Sequence, residues 1–233
     1  MALPSASNDA FLREVDEELR RDQLASAWRR WGRAAIVAVL LGLLAFAGWL
    51  YWQHRQKQQA GRDGEALQAA LEQVTAGHTK PAATALTPLE AAKAPGYRAL
   101  ARLTEADLLL QKNDTKGAVA KLAAVASDTG VGQPFRDLAL IRQTAVEYDA
   151  LPPQTVVARL GPLAVAGSPW FGSAGEMVAV AYLRQNRRDL AGKLFGRIAR
   201  DADVPDTIRQ RSVQMAGLLG VDAAPAAGAV PKP

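Results

Sequence analysis

The sequence predicts an all-α protein in which one membrane-crossing helix precedes a stack of helical hairpins. Two observations lead to this prediction: an uninterrupted apolar stretch at residues 34–52, and two helix–turn–helix segments, residues 97–128 and 170–201, that align without a gap. The chain is therefore expected to divide into four parts: 1–33, a tail with an amphipathic helix; 34–52, the transmembrane helix; 53–220, the helical repeat domain; and 221–233, a disordered tail.

Residues 34–52 contain no charged or amide side chain over nineteen positions. At about 1.5 Å per residue, a helix of that length matches the ~30 Å hydrocarbon core of a bilayer. A buried core helix of a soluble protein is rarely apolar on every face over such a length. Aromatic residues that favour the headgroup levels flank the stretch: Trp31 on one side, and Trp49, Tyr51 and Trp52 on the other. We therefore expect a single-pass membrane protein in contact with lipid.

A cleaved signal peptide is the alternative interpretation of the same stretch. The triplet Ala45, Phe46, Ala47 has the small-x-small form of a cleavage site after an apolar region. Two features favour an anchor instead. Some thirty residues with acids as well as arginines precede the stretch, and the apolar, aromatic run continues past the triplet to Trp52.

The orientation of the span follows from the Lys and Arg residues near its two ends. Within about twenty residues of the span, five arginines precede it and three basic residues follow it: Arg20, Arg21, Arg29, Arg30 and Arg33, against Arg55, Lys57 and Arg62. This difference predicts a cytoplasmic N-terminus and a C-terminal domain on the opposite side of the membrane.

The leading segment has its own helical pattern. Phe11, Val15 and Leu19 recur at helical spacing, and charged residues fill the other face. This amphipathic helix could lie on the inner leaflet, dock on a cytoplasmic partner, or only extend the anchor. The sequence leaves these three roles open.

Composition excludes several classes of site. The chain has no cysteine, which rules out disulfides, thiolate catalysis and Cys-based zinc sites. His54 and His78 are its only histidines, and no carboxylate lies at ligand spacing from either, so we expect no metal site. The formal charge of +5 comes from dispersed Lys and Arg residues, which are typical of a solvated surface. We expect no nucleic-acid partner.

Catalytic motifs are also missing from the sequence. It contains no Gly-rich phosphate loop, no HExxH motif and no convincing Ser-His-Asp order. Glu105, Asp107 and Glu176 fall within predicted repeat helices, where carboxylates are more often solvated or ion-paired than catalytic. We expect the protein not to be an enzyme, and to use no cofactor and no small-molecule substrate.

The two aligned segments lie seventy-three positions apart and share an aromatic start, an Asn at the turn, and matching apolar positions. Small residues are expected where antiparallel helices cross, and large ones where a side chain fills the groove of the next helix. The residues predicted to pack the repeats form four pairs: Ala106 and Ala179, Leu109 and Tyr182, Ala118 and Ala191, Leu122 and Phe195. Repeated helical hairpins are typical of an α-solenoid.

Further helices are expected around these repeats. Leu67 and Leu71 lie on an amphipathic helix that leaves the membrane, and Pro81 begins a shorter one. Between the repeats, Pro134 and the pair at residues 152–153 begin two helices that together have the size of one more hairpin. A last helix, from about residue 204 to residue 219, is expected to cap the stack.

The spacing of small and aromatic residues within the hairpins resembles the tetratricopeptide pattern, although the closing prolines come late, at Pro134 and Pro205. The segment FLREVDEELRRDQL, the span ending in GWLYWQ, and GYRALARL together resemble the alphaproteobacterial members of the YfgM-like family, ancillary subunits of the SecYEG translocon with a tetratricopeptide-like periplasmic domain. This resemblance implies an inner-membrane adaptor with a periplasmic repeat domain. Its implied partners are Sec translocon subunits, periplasmic chaperones and their clients. An envelope scaffold for cell division or cell-wall assembly is the alternative function.

Overall fold

The computed structural model describes residues 6–223, with the side chains of residues 32–34 and 36–223. Over residues 6–223 the chain forms α-helices and two short 3-10 helices, and this part contains no strand. The prediction of an all-α protein is confirmed. The chain divides into two compact units between Gly61 and Arg62.

The described helices follow one another with short connections. The α-helices are α1 (Ala6–Thr75), α2 (Thr79–Leu86), α3 (Pro95–Gln111), α4 (Thr115–Ala126), α5 (Gln133–Val146), α6 (Pro153–Leu160), α7 (Phe171–Arg184), α8 (Arg188–Arg200) and α9 (Asp206–Leu218). The 3-10 helices Thr87–Ala91 and Gly161–Leu163 extend α2 and α6. Proline occupies one of the first two positions of α3, α5 and α6. An N–H group at these positions has no partner within the helix, so a proline there loses no hydrogen bond.

The first unit consists of the larger part of α1. Every residue in the range 36–52 is exposed, and this part of α1 is long and apolar enough to cross a membrane. The rings of Phe46 and Trp49 stack with centroids 5.9 Å apart, and the guanidinium of Arg55 lies 5.7 Å from the Tyr51 ring. The side chains of the predicted amphipathic helix and of Trp31 lie outside the described residues.

The second unit is a succession of antiparallel helical hairpins. The end of α1 and α2 share one apolar cluster, α3 packs on α4, α4 on α5, α6 on α7 and α7 on α8, and α9 then packs on α8. Most contacts join helices adjacent in sequence, as expected for a solenoid whose repeats stack on their neighbours.

Four helices end in the same Schellman cap, with one left-handed residue after the helix: Gly77, Asn113, Asn186 and Gly220. The N–H of Asp114 donates to the carbonyl of Leu109 at 2.9 Å, and the N–H of Arg187 donates to the carbonyl of Tyr182 at 2.9 Å. Such bonds satisfy carbonyls that a helix end leaves unpaired. Because the two Asn caps lie seventy-three positions apart, the backbone repeats at the same offset as the sequence.

The core of the second unit consists of three successive apolar clusters. The first joins α1, α2 and α3 around Leu86. The second joins α3, α4 and α5 around Leu122, and the third joins α5 to α9 around Phe171 and Phe195. Each cluster is shared between neighbouring hairpins, so one hairpin alone would expose much of its apolar face.

The chain after α9 turns at Gly220, which has φ +79°, and lies against α8. A Cβ atom on Gly192 would come within 3.0 Å of Val221 Cγ2, so the missing side chain allows this close approach. Within the predicted disordered tail, residues 221–223 are therefore packed. The other ten residues lie outside the described part of the chain.

Candidate protein-binding groove

The eight residues predicted to pack the repeats fall in two core clusters. Six are buried: Ala106, Ala118, Leu122, Ala179, Ala191 and Phe195. Leu109 and Tyr182 are half-buried at the ends of α3 and α7. The structure brings together the four residues of each hairpin, but the two sets lie in different clusters.

The aromatic residues predicted at the membrane interface lie on α1. Trp49, Tyr51 and Trp52 are 52%, 63% and 59% exposed, so no described part of the chain covers them. Trp31 cannot be compared, because its side chain lies outside the described residues.

A groove of ≈ 520 Å³ lies where α5, α7 and α9 run beside one another. Its lining is mainly apolar. The lining side chains are Ala145, Tyr148, Asp149, Glu176, Met177, Val180, Phe195, Arg211 and Met215. The groove therefore joins the first helices of two successive hairpins to the final helix.

Tyr148 is held in a fixed position at one side of this groove. Its hydroxyl donates to the carbonyl of Met177 at 2.8 Å. The guanidinium of Arg184 lies 5.4 Å from the ring centroid and donates to the Tyr148 carbonyl at 2.8 Å. Burial raises the pKa of Tyr148 above its ordinary value, although Arg184 opposes this shift. The phenol stays neutral at physiological pH and keeps its donor.

An ion pair also lines the groove. Arg211 of α9 donates through Nη2 to Glu176 Oε2 at 2.8 Å and through Nε to Oε1 at 3.1 Å. These hydrogen bonds to Glu176 raise the pKa of Arg211 above its ordinary value. A two-point contact between guanidinium and carboxylate fixes the orientation of both side chains, so α7 and α9 are held in register.

The lining of the groove is typical of a site that binds an apolar side chain. Met177 and Met215 are unbranched and polarisable, and such residues adapt to ligands of different shape. Apolar floors with a few polar groups at the rim are typical of binding sites. Among the described residues no cluster of His, Asp and Glu is arranged to hold a metal ion.

Of these lining residues, the sequence indicates Glu176 and Phe195 but not that they lie close together. The helix predicted to begin at Pro134 ends at Val146, so Tyr148 lies just after it. Glu176 was expected to be solvated or ion-paired, and the structure pairs it with Arg211, thirty-five positions away. Met177 and Met215 were missed. The chain has three methionines, and two of them line the groove. Because methionine is rare in this chain, its positions are a sequence signal that could have indicated these two residues.

A comparison with protein families identifies this arrangement. The family described as tetratricopeptide repeat-like domain matches residues 26–202. The chain belongs to this family. The match begins within α1, includes the apolar stretch, and ends just after α8, so α9 lies beyond it. No curated protein and no solved structure matches the chain.

The tetratricopeptide repeat-like assignment confirms the predicted class of helical hairpin repeats. Solenoids of this kind provide surfaces for protein–protein interaction. The protein is thus a helical-repeat interaction module, and the groove is a part of its described surface that combines apolar residues with ordered polar groups.

Proposed function

We propose that the protein is a single-pass membrane adaptor whose tetratricopeptide repeat-like domain binds segments of partner proteins in the groove. The observation that carries this proposal is the open apolar floor formed by Met177, Val180 and Met215 between ordered polar groups. Val180 is 37% exposed, so an apolar side chain of a partner can contact it without displacing any residue of the chain.

The anchor in this proposal is residues 34–52, followed by the repeat domain at 53–220. Large apolar side chains such as Leu44 and Phe46 are 69% and 56% exposed, and an aqueous environment would leave this surface unfavourably hydrated. A lipid bilayer covers such a surface on all sides. Residues 36–52 are all exposed, which argues against a core helix.

The partners in this proposal are Sec translocon subunits, together with periplasmic chaperones and client chains. The resemblance to the YfgM-like family supports this choice, and the basic residues before the span support a cytoplasmic N-terminus. The repeat domain would then lie on the periplasmic face of the inner membrane. It would act by binding alone, without a catalytic step.

A photo-crosslinking residue at Val180 of the full chain in native membranes tests the proposal. Leu100, also 37% exposed but outside the groove lining, is the matched control position. We expect translocon subunits or periplasmic chaperones to be captured from Val180 and not from Leu100. The substitution Val180→Glu should reduce co-purification of those partners in mild detergent, and Leu100→Glu should not.

Two results would contradict the proposal in different ways. Capture of cell-wall synthesis or division proteins from Val180 would favour the envelope scaffold and remove the translocon from the proposal. Equal capture from both positions would show that the groove does not select partners.

A further inference from the structure

The hairpin α3–α4 contains a carboxylate that binds two guanidinium groups. Arg98 Nε donates to Asp128 Oδ2 at 2.9 Å, and Arg102 Nη1 lies 3.3 Å from the same oxygen. The other oxygen, Oδ1, accepts the N–H of Gly130 at 3.1 Å. The hydrogen bond from Arg98 holds the pKa of Asp128 below its ordinary value. This position of the repeat therefore recognises a guanidinium.

The hairpin α7–α8 has the same carboxylate without the arginines. Asp201 lies seventy-three positions after Asp128, and its Oδ1 accepts the N–H of Asp203 at 3.0 Å, as Asp128 accepts that of Gly130. The positions of Arg98 and Arg102 are taken by Phe171 and Gly175.

Asp201 consequently makes no ion pair within the described chain, whereas Asp128 makes two. The nearest basic residues of α8 are engaged in other contacts. The guanidinium of Arg197 lies 5.5 Å from the centroid of the Phe171 ring, and Arg200 donates to the carbonyl of Asp222. The Oδ2 atom thus remains open to a donor from outside.

A pocket of ≈ 320 Å³ lies at this carboxylate, between the start of α7 and the loop that joins α8 to α9. Its lining includes Trp170 and Asp203 besides Asp201. A guanidinium is planar and stacks on aromatic rings, and the face of a Trp ring attracts cations more strongly than that of Tyr or Phe. The pocket therefore offers a carboxylate and an aromatic wall together.

We propose that the Asp201 pocket binds an arginine side chain of a partner polypeptide through the Asp201 carboxylate, as Asp128 binds Arg98 and Arg102 in the earlier repeat. The start of α7 carries a partial positive charge that disfavours cations. The start of α3 carries the same charge beside Asp128, and two guanidinium groups are nevertheless bound there. This second site is separate from the groove, and it does not depend on the proposed translocon partners.

The test uses the full chain in zwitterionic detergent micelles and the tripeptide acetyl-Gly-Arg-Gly-amide as the probe. Its citrulline counterpart has nearly the same shape and no charge. The indole N–H signal of Trp170 in a ¹⁵N-labelled sample reports binding, and Trp170→Phe identifies this signal among those of the five tryptophans. We expect a saturable shift with the arginine peptide and none with the citrulline peptide.

Asp201→Asn should weaken binding of the arginine peptide at least tenfold. Asparagine keeps an oxygen that accepts the Asp203 N–H, so the loop is retained while the charge is lost. Asp128→Asn is the matched control, because its carboxylate is already occupied, and it should leave the affinity unchanged. The proposal is overturned if Trp170 does not respond, if citrulline binds equally, or if the two Asn variants have the same effect.

Discussion

Asn113 and Asn186 are the residues whose backbone conformation ends α3 and α7. Both have φ of 60°, which side chains branched at Cβ adopt only at a cost of about 1–2 kcal/mol. We expect Asn186→Val to lower the free energy of unfolding by about that amount, and Asn186→Gly to change it little. Denaturant unfolding of the full chain in micelles, followed by circular dichroism, measures the difference. Equal effects of Val and Gly would show that the left-handed cap does not determine stability.

For single residues, the sequence predicts conformations that depend on neighbouring positions, but it does not predict contacts between residues far apart in the chain. Asn113 and Asn186 could be placed at turns because the two segments align and Asn favours such positions. The pair formed by Glu176 and Arg211 could not, because it depends on how α9 lies against α7. Hydrogen-bond partners thirty-five positions apart have no signature in local spacing.

Among the helices, the small residues at the crossing points set the distance between neighbours. Ala106 and Ala179 are fully buried in their clusters. Replacing either by Leu adds atoms where no space exists, so Ala106→Leu and Ala179→Leu should each cost about 1–3 kcal/mol of stability. Ala120→Leu on the exposed face of α4 is the control and should cost far less. Thermal melts that show the same midpoint for all three variants would contradict the proposed crossings.

A charged cluster connects the 3-10 helix Thr87–Ala91 with α3 and α4. Lys121 Nζ lies 2.7 Å from Glu90 Oε1 and 2.6 Å from Glu105 Oε2. Burial raises the pKa of Glu105 above its ordinary value, and its contact with Glu90 raises this pKa further. Lys121 lowers the pKa of Glu105, but its effect is smaller than the other two together. For Glu90, burial acts in the same direction, but the hydrogen bonds with Glu105 and Lys121 outweigh it and lower the pKa.

These opposite shifts give opposite effects of pH on stability. A raised pKa stabilises the folded state at pH values below the unfolded pKa, and this contribution is lost as the pH rises through the folded pKa. Glu105→Gln should therefore be more stable than the unmodified protein at pH 7, and this advantage should disappear near pH 4. Glu90→Gln should be less stable at pH 7, because the lowered pKa of Glu90 favours the ionised folded form. Unfolding midpoints of both variants across this pH range measure the effect.

The order of the helices could be predicted, but the groove could not. Pro134 and the prolines at 152–153 indicated two helices of the intervening hairpin, which the structure has as α5 and α6. The groove requires the first helices of successive hairpins to come side by side. That arrangement depends on the rotation between hairpins, which the packing of residues such as Phe195 and Met177 decides over long sequence distances.

For the whole molecule, residues 36–52 form an uncovered apolar surface on a helix long enough to cross a membrane. Elsewhere in the described chain the large exposed apolar residues, such as Leu218 at 75%, do not form a comparable continuous run. Single exposed apolar residues are normal on a protein surface, whereas a large continuous patch indicates contact with a partner or a membrane. The continuous apolar stretch and a single exposed apolar residue can be compared by introducing the same charged side chain into each of them.

The substitution Leu43→Arg places a charge near the middle of the apolar stretch. The nine Leu, Ile, Val and Phe residues of this stretch together favour insertion by about 3–5 kcal/mol. A central Arg opposes insertion by about 2.5–3.5 kcal/mol. We therefore expect Leu43→Arg to shift much of the protein from the carbonate-resistant membrane fraction to the soluble fraction. Leu218→Arg, a control at an exposed leucine of α9, should leave the fractionation unchanged. If both variants and the unmodified chain are soluble, with a mature polypeptide that begins at Gly48, the stretch is a cleaved signal peptide and the adaptor is not anchored.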